Sequence, residues 1–231
     1  MKVSVIMPTY NRLHLLKRSV LSFLEQDYIN SELIILNNGS NDGTKEYLAS
    51  IKNPRVIVYN RPLNKVKGVL NDLWDLCDGH LICQLHDDDE LTKNSLSLRV
   101  AKFKSDKFLE VCYGGWINQK IDKTSLGTYK GQASNPSRIL SNEYINFTTM
   151  MWKNSLKNKF MFDNDLEFNL DSLFKIRCGM ECTMTCVEEP VMYYTIHNGQ
   201  ETIRNRSTGS HEPEMRLIRL KVKQIYGGLF L

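Results

Sequence analysis

The stretch LICQLHDDDELTKNSL, residues 81–96, begins as a mostly apolar run and breaks into Asp87, Asp88 and Asp89. The run is short enough for a buried strand rather than a helix. Three adjacent carboxylates repel one another unless a cation stands among them, so the end of this strand reads as a place that holds positive charge. Two readings are open from the residues alone. One is a site for a hard divalent ion, Mg²⁺ or Mn²⁺; the other is a solvated acidic turn capping a helix that starts near Thr92.

Working outward, the same strand sits in a regular alternation. VSVIMP (3–8) reads as a buried strand, and LHLLKRSVLSFLEQ (13–26) sets Leu16, Val20, Phe23 and Leu24 on one helical stripe. ELIILN (32–37) is a second strand that runs into the turn cluster NGSNDGT (38–44), and TKEYLASI (44–51) restarts a helix. RVIVYN (55–60) is a third strand, VLNDLWDLC (69–77) is helical and stops near Gly79, and HLICQLH (80–86) is the fourth strand. This alternation predicts an α/β, Rossmann-like fold with right-handed crossovers and a mainly parallel central sheet flanked by helices. Ligands of such sheets bind beyond the carboxyl ends of the strands, where TYNR, NNGS and HDDDE all fall.

The second half is less regular. FLEVCYGGWIN (108–118) and the segment around NFTTMMW (146–152) suggest strands, separated by a loop over roughly 118–140 with few apolar residues. FDNDLEFNLDSLFKIRCG (162–179) predicts a helix closed by Gly179, followed by the strand GMECTMTCVEEPVMYY (179–194) and the polar loop IHNGQETIRNRSTGS (196–210). The tail EPEMRLIRLKVKQIY (212–226) is amphipathic and basic, and could dock on the domain itself, on an anionic membrane surface or on a further domain.

Bulk properties bound these readings. With 231 residues, 42% of them hydrophobic, the chain can bury one core, and a single domain over 1–231 is expected, with halves 1–117 and 118–211 and the tail 212–231. The formal net charge of +4 is spread over mixed signs, which gives no support for a nucleic-acid partner. No apolar run approaches ~18 residues and MKVSVIMPTYNR is too short in apolar span for a leader, so a soluble, cytoplasmic chain is expected, with the tail as a route to peripheral membrane association. The six cysteines form no dense framework and are expected to be reduced. Cys178, Cys182 and Cys186 have a metal-like spacing, but strand alternation puts Cys182, Met184 and Cys186 on one face, as core thiols.

Five segments together resemble the family 2 glycosyltransferases of GT-A fold, inverting enzymes that use nucleotide-diphosphate sugars. VSVIMPTYNR is similar to the family's first strand and nucleotide-binding loop. ELIILNNGSNDGT resembles its second strand with D-D-G-S-x-D-G-T, and GHLICQLHDDDEL its L-D-x-D-D segment. LDSLFKIRCG resembles its E-D-x-D-L-x-x-R helix, and EEPVMYYTIHNG the segment ending in its loop histidine. The resemblance spans nearly the whole chain, the less regular half corresponding to the acceptor side.

What the resemblance implies can be placed residue by residue. Pro8, Thr9, Tyr10 and Asn11 would pack the nucleoside, Tyr10 offering a ring face and a hydroxyl; an ordinary strand-end turn is the competing reading. Asn38 stands where the family has the acidic residue that accepts from a uracil or thymine N–H; both aspartates of that motif are asparagines here, Asn37 and Asn38. An Asn carbonyl still accepts that bond, so UDP is the expected nucleotide, though the amide donates as well. Asp42 is expected to shape the turn or cap a helix. Of G-x-x-x-A-R-N only Asn71 survives; Lys65 or Lys67 would supply the basic contact, unless both are solvated loop lysines.

Asp88 would hold the metal, Mn²⁺ or Mg²⁺, with Asp87 near the ribose or metal and Asp89 either behind Asp88 or as an alternative ligand. His86 replaces the motif's first aspartate and is open between ligand, ribose contact and strand end. Asp171 matches the general base, and Leu170 in place of the preceding Glu is expected to raise its pKa. Its competing reading is a solvated carboxylate in a first helical turn. His197 falls where the family has a histidine near the diphosphate or metal, as a metal ligand or phosphate partner, the competing reading being a loop histidine that is neither; Thr195 replaces a frequent Arg. Trp116, after Gly114 and Gly115, is either an acceptor platform for a sugar face or core packing.

The activity implied is inverting transfer of a hexose from a nucleotide-diphosphate sugar, UDP first, to a hydroxyl of a glycan or glycolipid. Two alternatives stand beside it. A sugar nucleotidyltransferase would share the sheet, yet the Gly-rich, basic N-terminal loop for a triphosphate is missing. A catalytically inactive nucleotide-sugar-binding module would account for Asn37, Asn38 and Leu170.

Overall fold

The structure is a computed structural model and describes residues 1–133, 145–167, 169–200 and 211–227. Most of the expected polar loop after Ile196, and part of the expected connection over 118–140, lie outside the described residues. The four expected strands are β1 (Val3–Thr9), β2 (Ser31–Asn38), β3 (Val56–Arg61) and β4 (Leu81–Gln84), alternating with α1 (Leu13–Leu24), α2 (Thr44–Ser50) and α3 (Val69–Asp75). They pair in parallel in the order β3-β2-β1-β4. Every residue of β2, and all of β1 except Pro8, is buried, as expected of central strands covered on both faces.

The sheet then continues into the second half. The remaining elements are β5 (Glu90–Leu91), α4 (Ser95–Ser105), β6 (Val111–Lys120), β7 (Ser125–Tyr129), β8 (Met151–Lys153), α5 (Leu170–Glu181), β9 (Met184–Ile196) and α6 (His211–Tyr226). Past β4 the order is β8-β6-β9-β5, with β7 paired to β6. β8 is antiparallel to both β4 and β6, so β6 and its parallel partner β9 run in the direction of β1. β5 and β7 oppose them. The result is a mostly parallel sheet whose irregularity is confined to short opposing strands.

Three segments depart from the expectations: the loop expected over roughly 118–140 holds the end of β6 and all of β7, paired as a hairpin, and two others depart for local reasons. In NFTTMMW, Asn146 accepts from the Thr148 N–H (3.2 Å), which closes a 3₁₀ turn over Phe147–Thr149 and leaves the strand as Met151–Lys153. The helix expected over 162–179 starts at Leu170 and runs through Gly179 to Glu181. Its start is delayed because Asp163 accepts from the Asp165 N–H in an Asx turn (2.9 Å), and Glu214 accepts from the N–H groups of Glu167 and Asn169. Burial of Leu173, Phe174, Ile176 and Cys178 carries it past the glycine, aided by the Arg177–Glu181 pair (3.0 Å).

Each face of the sheet has its own core. One holds Val5, Leu16, Phe23, Leu96 and Phe103 under α1 and α4; the other centres on Trp74, Phe147, Trp152, Phe162 and Phe174. Rings in this aromatic group approach to 4.5 Å for Phe162 and Phe174 and 5.2 Å for Trp152 and Phe174. The tail helix belongs to the same core, since Ile218 and Val222 are buried in it, and Lys221 pairs with Asp163 (2.8 Å) and Asp165 (2.7 Å). Its apolar stripe therefore docks on the domain. Cys182, Met184 and Cys186 pack together against this core, as their alternation predicts.

Phe174, which contacts Trp74, Phe147, Phe160, Trp152 and Phe162, is the test of this packing. Phe174→Ala should cost roughly 3–5 kcal/mol of unfolding free energy in urea, whereas Phe108→Ala at an exposed position should stay within about 0.5 kcal/mol.

Candidate functional site

The site exists because two neighbouring strands part. Pairing of β1 with β4 ends at Ile6↔Gln84, and Pro8, which has no N–H to donate, follows two residues on. This is also where the chain order reverses, β2 lying on one side of β1 and β4 on the other, the position at which open α/β sheets form a crevice. Thr9 and the aspartates face each other across it: the Thr9 hydroxyl donates to Asp87 Oδ2 (2.7 Å).

The cation that the three carboxylates call for is in the chain itself. Arg12 Nη1 donates to Asp87 Oδ1 (3.0 Å) and to Asp88 Oδ2 (2.8 Å), and Nη2 donates to the Gly199 carbonyl (3.3 Å). His197 Nε2 lies 3.1 Å from the same Asp88 oxygen, while its Nδ1 accepts from the Gly199 N–H (3.2 Å). An Nδ1 that accepts leaves the proton on Nε2, so a neutral His197 donates to Asp88. Asp89, fully buried, accepts from the Thr195 N–H through Oδ1 (2.9 Å), and its carbonyl accepts from the Ser19 hydroxyl (2.5 Å). Residue 12 was not singled out from the sequence, although it stands in the TYNR loop that faces the aspartates. A single arginine in that loop was the available signal.

The titration of the three carboxyls follows from these partners. Burial pushes Asp87 up, and with Asp88 as a like-charged neighbour it stays above the usual carboxylate range in spite of Arg12 and Thr9. Burial opposes the charge on Asp88 too, but the His197 hydrogen bond, His86 and Arg12 hold it below that range. Burial pushes Asp89 up to about 6, against the pull of His86 and the Thr195 N–H. For His86 burial pulls down, but Asp89 and the two other aspartates raise it.

The donors fit a divalent ion. Asp89 Oδ2 is buried and has no hydrogen-bond partner among the described residues; its neighbour is His86 Nδ1 at 3.5 Å. Ligand atoms of His86, Asp88 and Asp89 lie within 4.8 Å of one another. An imidazole with two carboxylates suits Mn²⁺, and the carboxylates alone suit Mg²⁺. The third donor of this group is His86, with His197 behind Asp88 as an orienting hydrogen bond.

Other expected site residues are placed differently. Asn11, at φ +51, donates its N–H to the Ser40 hydroxyl and accepts from the Asn41 N–H, stitching the first loop to the second. Tyr10 is exposed. Asn38 is spent on the chain: its amide donates to Asn64 Oδ1 (2.6 Å) and the Lys65 carbonyl (3.0 Å), and its Oδ1 accepts from the Lys65 N–H (3.2 Å). That contact needs Gly39, at φ +83, where a Cβ would lie 2.8 Å from the Leu63 carbonyl carbon. Asn71 likewise exchanges two bonds with the Phe162 backbone, and Lys67 is exposed. Asp42 serves both helices, accepting from the N–H groups of Leu13 and Thr44.

Asp171 lies in the first turn of α5, a third exposed (34%), with Lys175 Nζ 3.1 Å from Oδ2. Trp116 stacks on Tyr129 (4.8 Å, 10° between planes) and lines a cavity of about 450 Å³ with Thr128, Tyr129, Lys130 and Gln132. Gly115 permits this hairpin, because a Cβ there would press on the Tyr129 carbonyl. No hydrogen bond or ion pair among the described residues joins Asp171 or Trp116 to the aspartate cluster.

An α/β sheet with an acidic strap at its switch point is the architecture of nucleotide-sugar-dependent transferases of GT-A type. The model of the Glycosyl transferase family 2 matches residues 4–164, and the chain belongs to that family. It is similar to Escherichia coli WfgD, a UDP-Glc:alpha-D-GlcNAc-diphosphoundecaprenol beta-1,3-glucosyltransferase, at 26% identity over 78% of this chain and 75% of that one. Other bacterial relatives at 33–35% identity match 43–48% of this chain, and the match spans 12–37% of their own length. Among solved structures, S. aureus TarS 1-349 in complex with UDP-GlcNAc superposes with a TM-score of 0.76 at 18% identity, covering 96% of this chain and 67% of that one. The Pyrobaculum calidifontis mannosyltransferase in complex with GDP-Man and Mn²⁺ superposes with a TM-score of 0.63 at 16% identity, covering 86% and 58%. These likenesses show the fold. Among the described residues no helix is long and apolar enough to cross a membrane.

Asp89 yields a pH-dependent prediction for the metal-free protein. Its folded pKa, about 6, lies above the 3.8 of a free aspartate, so the folded state holds its proton more tightly. That contribution to stability is complete below pH 3.8 and is lost as the pH rises through 6. Asp89→Asn, which keeps an acceptor for the Thr195 N–H, should therefore gain on the wild type as pH rises from 4 to 7 in EDTA. The gain should be on the order of 2–3 kcal/mol and should be read from paired urea titrations.

Proposed function

We propose that the protein transfers a hexose from a UDP-sugar to a hydroxyl of a glycan or glycolipid, inverting the anomeric centre. The observation that carries the reading is the crevice in which Thr9, Arg12, Asp87, Asp88, Asp89 and His197 meet, with one buried carboxylate oxygen that has no hydrogen-bond partner among the described residues. WfgD, which by its name uses UDP-Glc and a diphosphoundecaprenol-linked acceptor, and TarS, which binds UDP-GlcNAc, support UDP and a glycolipid.

His86, Asp88 and Asp89 would hold the ion. When bound, a divalent ion there supplies charge neutralisation for the leaving diphosphate. Asp171 accepts the proton of the attacking hydroxyl; Lys175 holds its Oδ2 and so fixes the carboxylate's orientation. The exposed Tyr10 ring stacks on the nucleobase, and the Trp116–Tyr129 cavity takes the acceptor sugar against a ring face. Residues 1–117 form the donor half and 118–211 the acceptor half of one domain. The outward Arg216, Arg219 and Lys223 of α6 bring the enzyme to an anionic membrane surface where a lipid-linked acceptor resides.

Calorimetry with UDP, dTDP, GDP and CDP, each with and without Mn²⁺, tests the donor site. UDP should bind with metal, and Asp88→Ala should abolish that dependence; indifference to both metal and mutation would end the reading. Asp171→Asn should keep UDP affinity and lower kcat by about 100-fold or more, measured as UDP release with UDP-Glc and UDP-GlcNAc.

A further inference from the structure

We infer that Arg12 is an exchangeable counter-ion: it holds Asp87 and Asp88 while the crevice is empty, and turns to the donor diphosphate once a divalent ion takes Asp88. The inference rests on the donor-site reading above. Its ground is the way one guanidinium is shared. Three carboxylates and one arginine leave a formal charge of −2 when both histidines are neutral. Arg12 satisfies the Asp87 side of the cluster, while Asp89 Oδ2, without a hydrogen-bond partner among the described residues, faces His86 on the other. The arginine position and the ion position therefore overlap at one residue, Asp88.

An ion bound to Asp88 acts on Arg12 twice. It draws off the negative charge that Asp88 offered to the guanidinium, and its own +2 charge repels Arg12 across a short, low-dielectric gap. A diphosphate brings at least two negative charges and oxygen pairs that match the planar fork bidentately, which a carboxylate already shared with a metal no longer does.

The geometry allows the exchange with little cost elsewhere. The Arg12 carbonyl accepts from the N–H groups of Leu15 (3.0 Å) and Leu16 (2.9 Å), and Asp42 accepts from the Leu13 N–H, so the backbone at the start of α1 stays fixed. The side chain is 23% exposed, against 7% and 9% for Asp87 and Asp88, and is the mobile partner of the three. Asp87 keeps the Thr9 hydroxyl and Asp88 keeps His197 when the guanidinium leaves. Among its contacts to the described residues, that to the Gly199 carbonyl, 3.3 Å, is the longest it gives up.

A consequence is reciprocal coupling: Arg12 weakens metal binding to the empty site, and donor and metal each strengthen the other by the same factor. The test measures that factor in the full chain. Mn²⁺ alone is titrated by electron paramagnetic resonance, and UDP by calorimetry with and without Mn²⁺, for wild type, Arg12→Ala and Arg12→Lys. Arg12→Ala should bind Mn²⁺ alone about tenfold more tightly, and bind UDP in saturating Mn²⁺ about tenfold or more weakly. Arg12→Lys keeps the charge without the fork, so Mn²⁺ affinity should stay within about twofold of wild type while UDP affinity falls part of the way. Normal coupling in wild type together with unchanged or weaker Mn²⁺ affinity in Arg12→Ala overturns the role of Arg12 and leaves the donor site standing. A wild type whose UDP affinity ignores Mn²⁺ overturns both.

Discussion

Compensation of charge at the end of β4 is the constraint on which the rest of the site depends. Three consecutive carboxylates, each at most 8% exposed, cannot remain there without partners, and the partners come from two other places in the chain. Thr9 and Arg12 arrive from the end of β1, and His197 and the Thr195 N–H from the end of β9. The same contacts that neutralise the aspartates thus fix the relative positions of strand ends separated by more than 100 residues of sequence. Binding capacity and tertiary order share one set of bonds.

The strap after the aspartates shows how that order is kept. Glu90 and Leu91 form β5 on Tyr193 and Met192 of β9, the Leu91 N–H donates to the Ser22 hydroxyl, and the Gln26 amide donates to the Thr92 carbonyl. Glu90 is buried, which opposes its charge, yet Arg18 and Lys123 hold its carboxyl below the usual range. Gln119 of β6 adds a bond of 2.9 Å to the same carboxylate. A strand end that would otherwise be a loose acidic turn is clamped between α1, β6 and β9. This rigidity favours a pre-formed ion site.

The fold of the first half was legible because each of its elements reports itself locally. Apolar runs of four to eight residues bounded by Asn, Gly and Asp clusters mark β1 to β4, and all four appear within about two residues of their expected ends. In the second half the deciding bonds are long-range, so pattern reading ran out. Nothing local in FDNDLEFN announces that Glu214, some 45 residues on, will take its N–H groups and postpone α5. Asn38 and Asn71 illustrate the same limit within the site. Their type and place suggested a nucleotide, but their amides close on Lys65 and on the Phe162 backbone, partners that spacing cannot reveal. Asp87, Asp88 and Asp89 were legible as a group because the chemistry of clustered carboxylates demands company; His197 came from the family resemblance, and Arg12, the other partner, was missed.

A comparison within the molecule shows why the two arginines at the heart of the domain do different things. Arg99 is fully buried and pairs with no carboxylate among the described residues; its N–H groups donate to the carbonyls of Ser95, Thr149 and Met150 and to the Ser95 hydroxyl. Each of those acceptors is neutral and held by backbone, so the guanidinium is locked, and what it does is tie the 3₁₀ turn before β8 to α4. Arg12 meets the opposite surroundings: part of its side chain reaches solvent, and two of its acceptors are carboxylates whose charge an incoming ion can claim. Removing a charge from an acceptor changes the energy of a charge-assisted bond far more than shifting a neutral carbonyl does. Arg99 is therefore fixed by neutral acceptors, whereas Arg12 sits on carboxylates whose charge a bound cation would draw off.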